Sequence, residues 1–258
     1  MSVTRGEFLK SFGKALPGMV LGSGAVAAHK LFSKMAAVAG EPGEPIMTPL
    51  PRPNAEAKPA VFEIIECGPS TRPHIALTFD DGPNPGVTDR ILDELQKRGA
   101  KATFFMIGER IAASPELARR VVAEGHDVAN HTYTHPKLTE VPPARVEEEL
   151  QKTQDIIHDV LGVQATWFRP PYLTFRRDLA PHVQRRGLRV VTGNVDPADW
   201  SQPGEEKIIE VITQKATPGS IVICHDMYAQ TANAIGTILD RLLAAGLTPV
   251  TLSTLMAG

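Results

Sequence analysis

Ile75-Ala76-Leu77-Thr78-Phe79-Asp80-Asp81-Gly82-Pro83 is the stretch on which the fold turns. An apolar run interrupted only by Thr78 passes straight into two carboxylates, and Gly-Pro then stops the regular element. A strand that is apolar on both sides is buried on both faces, the habit of parallel sheets covered by helices. The same transition repeats downstream. Asp127-Val128-Ala129 leads to Asn130-His131, with His135 four residues on, and Ala165-Thr166-Trp167-Phe168 leads to Arg169-Pro170-Pro171-Tyr172. Leu188-Arg189-Val190-Val191-Thr192 is followed by Asp196 and Asp199-Trp200, and Ser220-Ile221-Val222-Ile223-Cys224 by His225-Asp226. In parallel α/β folds the C-terminal strand ends form one rim, and that rim carries the site. The acids, histidines and arginine at these five ends are therefore expected at one mouth.

Further strand-like runs are Val61–Glu66, Thr103–Ile107 and Thr248–Leu252. Between the strands, Val87, Ile91, Leu92 and Leu95 share one helical face, with Gly99 as a stop. Ser114-Pro115-Glu116 reads as a helix start, with a capping hydroxyl, a first-turn proline and a carboxylate at the positive end. Val146, Leu150, Ile157 and Leu161 stripe a long helix ending at Gly162, and Thr231 to Leu243 forms a last helix before Gly246. Alternating β and α over residues 61–258 predicts an α/β domain on a parallel sheet, either open or closed into a barrel.

The first 60 residues have a different texture. Arg5, Lys10 and Lys14 precede the apolar and small-residue run Ala15 to Ala28, and Ala25-Val26-Ala27 and Ala37-Val38-Ala39 offer small residues for cleavage. Residues 1–39 thus read as an export signal or an N-terminal anchor, placing the protein in the periplasm, cell wall or extracellular space, with a membrane tether if the leader is retained. Thr4-Arg5-Gly6-Glu7-Phe8-Leu9-Lys10 resembles a twin-arginine signal with Gly6 in place of the second arginine. Six prolines between Glu41 and Pro59 forbid a helix or central strand, so residues 40–60 read as a linker to a single catalytic domain at 61–258. Across all 258 residues, 27 Lys+Arg against 29 Asp+Glu give a net charge of −2, which argues against a nucleic-acid partner. Two cysteines allow at most one bridge.

His131 and His135 are spaced to face one ion from a helical turn or tight loop, and one carboxylate completes a two-His, one-carboxylate set with open positions. Two adjacent carboxylates ending a buried strand are costly to desolvate unless paired or bound to a cation. Zinc suits such donors best, while cobalt, nickel and iron also fit. The same set occurs in non-haem iron oxygenases.

Thr78-Phe79-Asp80-Asp81-Gly82-Pro83, His131-Thr132-Tyr133-Thr134-His135, Arg169-Pro170-Pro171-Tyr172, Asp196-Pro197-Ala198-Asp199-Trp200 and Ile223-Cys224-His225 resemble, in order, the five motifs of the polysaccharide deacetylases. These are the chitooligosaccharide-deacetylase (NodB) homology domains of carbohydrate esterase family 4. The resemblance implies a distorted (β/α) barrel of about seven parallel strands and hydrolytic removal of acetyl groups from amino-sugar polymers or oligosaccharides. It implies Asp81, His131 and His135 as ligands of one divalent ion, Asp80 as general base, and Arg169 as its orienting partner. Tyr172 would donate its backbone N–H to the oxyanion, His225 would be the general acid held by Asp199, and Trp200, with Tyr172, would wall the substrate pocket. Trp167 reads as core packing and Cys224 as a buried thiol facing away from His225. Alternatives on the same fold are a catalytically silent glycan-binding module and an O-acetyl xylan esterase; the Asp80–Arg169 and Asp199–His225 pairs are equipment an oxygenase would not need.

Overall fold

The computed structural model describes residues 62–258. The leader expected at 1–39 and the linker at 40–60 lie outside them. In chain order the elements are β1 (Ile64–Ile65), β2 (His74–Asp80), α1 (Thr88–Lys97), β3 (Thr103–Met106), α2 (Gly108–Ala113), α3 (Pro115–Ala123), β4 (Asp127–Asn130) and α4 (Pro143–Leu161). They continue with β5 (Trp167–Phe168), α5 (Ala180–Gln184), β6 (Arg189–Val191), α6 (Glu205–Lys215), β7 (Ile221–His225), α7 (Ala229–Ala244), β8 (Thr248–Val250) and α8 (Leu252–Met256).

Seven strands run in the order β1-β6-β5-β4-β3-β2-β7, and β8 pairs with the start of β2. Every one of these strand pairings is parallel, as the apolar strands predict. Closure comes from short contacts rather than a full ladder. After β6 the chain crosses to β7, where the Asn194 and Val195 N–H groups donate to Ile221 O at 3.1 and 3.2 Å and the Ile223 N–H donates to Val195 O at 2.9 Å. Gly193 makes this approach feasible, because a Cβ there would sit 2.7 Å from the Ile221 carbonyl oxygen. The result is the distorted (β/α) barrel expected from the motifs.

Strand alternation divides the interior in two. Ile75, Leu77 and Phe79 point outward into the main core with α1 residues Ile91, Leu92 and Leu95 and with Ile235, Ile238 and Leu239 of α7. Ala76, Phe105, Ala129, Trp167, Val191 and Ile221 form a second cluster, which Leu252 and Leu255 of α8 close. Trp167 is 4% exposed and donates its indole N–H to Ser253 Oγ at 2.9 Å, the packing role expected of it. Cys224 is fully buried in the helix-side core while His225 lines the cleft, and burial pushes the thiol well above its ordinary range.

Two local expectations differ in detail. Ser114 precedes α3, but its hydroxyl makes no capping bond; the residue also ends α2, its N–H donating to Arg110 O. The run to Leu252 is shorter as a strand: β8 ends at Val250, and Thr251 caps α8 by accepting from the Thr254 N–H. Gly162 ends α4 in the left-handed conformation, as its position after the apolar stripe suggested.

Candidate active site

The five strand ends do meet. Asp80, Asp81, His131, His135, Tyr172, Trp200 and His225 line one cleft of about 460 Å³, with Leu173, Asp196, Ile223 and Tyr228 completing its walls.

Asp80 ends β2 at 3% exposure, and Asp81 leaves the strand in the left-handed conformation, with φ 75. Behind the turn lies Asp226, whose N–H donates to Asp80 O at 3.1 Å and whose Oδ2 accepts from the Thr88 hydroxyl at 2.6 Å. Asn84 ties both sides together by donating its amide to Asp226 O and Asp81 O. Gly82 is required by this packing: a Cβ would stand 2.0 Å from Asp226 Oδ2. Burial, with the charge of Asp81 added, pushes the Asp226 carboxyl up to about 7.

Asp81 Oδ1 is buried and has no hydrogen-bond partner, yet His131 Nε2 and His135 Nε2 lie 3.4 and 3.2 Å away. Among the described residues these three offer ligand atoms within 4.8 Å of one another. The His131 Nδ1 lies 2.7 Å from Arg169 O, which assigns its proton to Nδ1 and leaves the Nε2 lone pair facing Asp81. Burial, with the neighbouring His131 imidazole disfavouring a second proton, depresses His135 to about 4, so its imidazole is neutral near pH 7. Burial opposes ionisation of Asp81, but the imidazoles of His131, His135 and His225 outweigh it and lower the carboxyl to about 2. A charged carboxylate with an unsatisfied buried oxygen and two imidazole lone pairs fit a divalent cation. The two histidines sit on a tight loop rather than a helical turn, with Thr132 at φ 68 and His135 at φ 58.

Arg169 is not an exposed rim residue. It is fully buried, stacked 4.1 Å over the Phe105 ring, and donates from Nη1 to Asp80 Oδ1 at 2.6 Å and Thr78 Oγ1 at 2.7 Å, and from Nη2 to Thr192 O at 2.6 Å. Asp80 is thereby held as an aimed carboxylate beside the Asp81–His131–His135 cluster.

His225, at the end of β7, forms the other pair. Its Nδ1 is 2.7 Å from Asp199 Oδ1, and its backbone N–H donates to Asp199 Oδ2 at 2.8 Å. Asp199 is fully buried and also accepts from the Thr231 hydroxyl at 2.7 Å. Burial works against the imidazolium, but the Asp199 bond and the charges of Asp80, Asp199 and Asp81 together raise it to about 9. Near pH 7 this imidazole is a proton donor.

Tyr172 packs on the His135 ring at 4.8 Å between centroids and stays 62% exposed, and Trp200 is 57% exposed. Leu173, Tyr228 and Glu149 were not singled out by the sequence, and Asp226 was noted at its strand end without a role. Of these, Glu149 left a readable sign: an acid on the buried face of α4, beside Val146, Leu150 and Thr153.

The polysaccharide deacetylase family model matches residues 68–191, which ends before Asp199 and His225. A chitooligosaccharide deacetylase of Rhizobium leguminosarum bv. trifolii is 42% identical over 161 residues, covering 62% of this chain and 74% of that protein. The peptidoglycan-N-acetylmuramic acid deacetylase PdaC of Bacillus subtilis is 38% identical over 181 residues, 70% of this chain but 38% of its own length. The solved structure of PdaC gives a TM-score of 0.69 at 36% identity, covering 73% of this chain and 92% of that one.

Proposed function

The chain belongs to the polysaccharide deacetylase family, and on that premise we propose that it is an exported, metal-dependent hydrolase removing acetyl groups from N-acetylglucosamine-containing glycans such as peptidoglycan or chitooligosaccharides. The observation that carries this reading is the separation of tasks within one cleft. Asp81, His131 and His135 form one cluster, Asp80 is paired with Arg169, and His225 is paired with Asp199.

Asp81, His131 and His135 would hold a divalent ion, zinc for preference, which supplies polarisation of the acetyl carbonyl and a lowered pKa for water. Asp80 takes the proton of the attacking water, its carboxylate aimed by the Arg169 guanidinium. The backbone N–H of Tyr172 donates to the tetrahedral oxyanion, whose negative charge makes that bond stronger than in the ground state. His225 enters protonated, gives its proton to the leaving sugar amine as the C–N bond breaks, and ends neutral against Asp199. The products are acetate and a free amine. Trp200 and Tyr172 present aromatic faces to the pyranose rings at the cleft rim.

The test is acetate release from a panel of acetylated glycans, including peptidoglycan, chitooligosaccharides and acetylated xylan, by protein stripped with chelator and reloaded with zinc, cobalt, nickel or iron. The proposal expects metal-dependent release from amide-acetylated amino sugars. Binding of glycans without acetate release under every metal would identify a silent binding module, and release from acetylated xylan alone would identify an esterase.

A further inference from the structure

The loop carrying His131 and His135 is clamped from both sides, and one clamp is a buried charge that the proposed reaction does not use. Within the loop, the Thr132 N–H donates to Asn130 Oδ1 at 2.9 Å and the His135 N–H to Thr132 Oγ1 at 3.1 Å. On one side, Gly108 and Glu109 at the start of α2 donate their N–H groups to Thr132 O and Tyr133 O, both at 3.0 Å. On the other side stands Glu149 of α4, 1% exposed. Its Oε2 accepts the N–H groups of Tyr133 and Thr134 at 2.7 and 2.8 Å, and its Oε1 accepts the Thr134 hydroxyl at 2.6 Å. Arg145 brings its guanidinium to 2.7 Å from Oε1.

Burying a carboxylate is costly, and only near-complete satisfaction offsets that cost. Glu149 meets the requirement by gathering donors from the two residues midway between the histidines. Thr132 and His135 both hold left-handed backbone, a conformation that costs energy in residues bearing a Cβ and needs outside restraint to persist. An apolar side chain at 149 could fill the same volume but would accept none of these bonds, whereas an amide would keep one oxygen for the Tyr133 and Thr134 N–H groups.

We propose that Glu149 is a positioning residue for the metal site: by gripping Tyr133 and Thr134 from α4 it sets the separation and aim of the His131 and His135 imidazoles toward Asp81. The inference rests on the reading of Asp81, His131 and His135 as metal ligands. Loss of such an outer partner weakens metal binding by about 10–100-fold.

The experiment measures zinc affinity of the apo protein by competition with a chromogenic chelator, together with the visible spectrum of the cobalt form and the denaturation midpoint of each apo variant. Wild type should bind one ion and Asp81→Ala should lose it; failure of that comparison defeats the metal-site reading itself, independently of Glu149. Given that binding, Glu149→Met, which removes all three bonds to the loop, should weaken zinc about 10–100-fold and shift the cobalt bands. Ile157→Val, a buried trim on the same helix, should lower the midpoint while leaving affinity and spectrum as in wild type. Affinity within about twofold of wild type in Glu149→Met overturns the proposal, as does weakening in Ile157→Val proportionate to its lost stability. Should Glu149→Met fail to fold, Thr134→Val at an exposed position removes the hydroxyl bond alone and should weaken zinc by about threefold or more. Unchanged affinity there overturns it equally.

Discussion

Replacing Asp199 by asparagine keeps the shape of the His225 pair and removes its charge. His225 stands at about 9 because Asp199, with Asp80 and Asp81, outweighs the burial that alone would depress it. Without the Asp199 charge, the imidazole should fall to its ordinary value of about 6.5 or lower, a difference worth about 3 kcal/mol between its two protonation states. At pH 7.5 almost all of the wild-type His225 carries the proton, against about a tenth or less in the variant, so the rate should drop at least about tenfold from this cause alone. The deficit should grow by about another tenfold by pH 8.5 and shrink toward pH 6. Stability follows the same sign. Since the folded pKa exceeds the unfolded one, the proton stabilises the fold; that contribution is complete below about 6.5 and lost as pH rises through about 9. Chemical denaturation of the apo protein from pH 6 to 9.5 should show the decline in wild type and a flatter profile in Asp199→Asn. An alkaline limb of kcat at the same pH in both proteins would refute the assignment of His225 as the acid poised by Asp199.

Other perturbations separate stability from chemistry. Arg169→Met leaves Asp80 buried and unpaired, and should lower stability by about 3–5 kcal/mol in urea denaturation as well as abolishing turnover. Trp200→Ala, at a position 57% exposed, should raise KM by roughly fivefold, about 1 kcal/mol of lost aromatic contact, with the denaturation midpoint unchanged. Gly82→Ala drives a methyl group into the Asp226 carboxyl and should cost about 1–3 kcal/mol of stability while displacing the Asp80–Asp81 turn, seen as reduced zinc affinity.

The parts of this molecule readable in advance are those where chemistry changes abruptly along the chain. The passage from Phe79 into Asp80-Asp81, or from Cys224 into His225, marks a strand end because no buried strand carries such groups without a purpose. Burial that depends on distant partners was harder to see. Arg169 resembled a rim residue in one dimension; only the approach of Phe105, Thr78 and Thr192 from three other segments makes it a core guanidinium. The barrel was implied by the motif resemblance and not by the strand pattern, since its closure rests on Gly193, Asn194 and Val195 crossing to β7, with no apolar run to announce it. Ser114 had suitable capping chemistry, yet it also ends α2 and its hydroxyl makes no cap bond to α3. Glu149 was legible in principle, as an acid on an apolar stripe, but its meaning appeared only once the His131–His135 loop was seen lying against α4. Leu173 and Tyr228 stand on rim loops, where one-dimensional periodicity carries no signal.

The central claim is that Asp80 works beside a separate metal cluster and is not part of it. Zinc content and acetate release should be measured together for wild type and Asp80→Asn, both reloaded with zinc and given a chitooligosaccharide. The account predicts one zinc per chain in both proteins, acetate release by wild type, and a loss of about 100-fold or more in Asp80→Asn. Release near the wild-type rate by a zinc-loaded Asp80→Asn, or loss of the metal along with the activity, would contradict it.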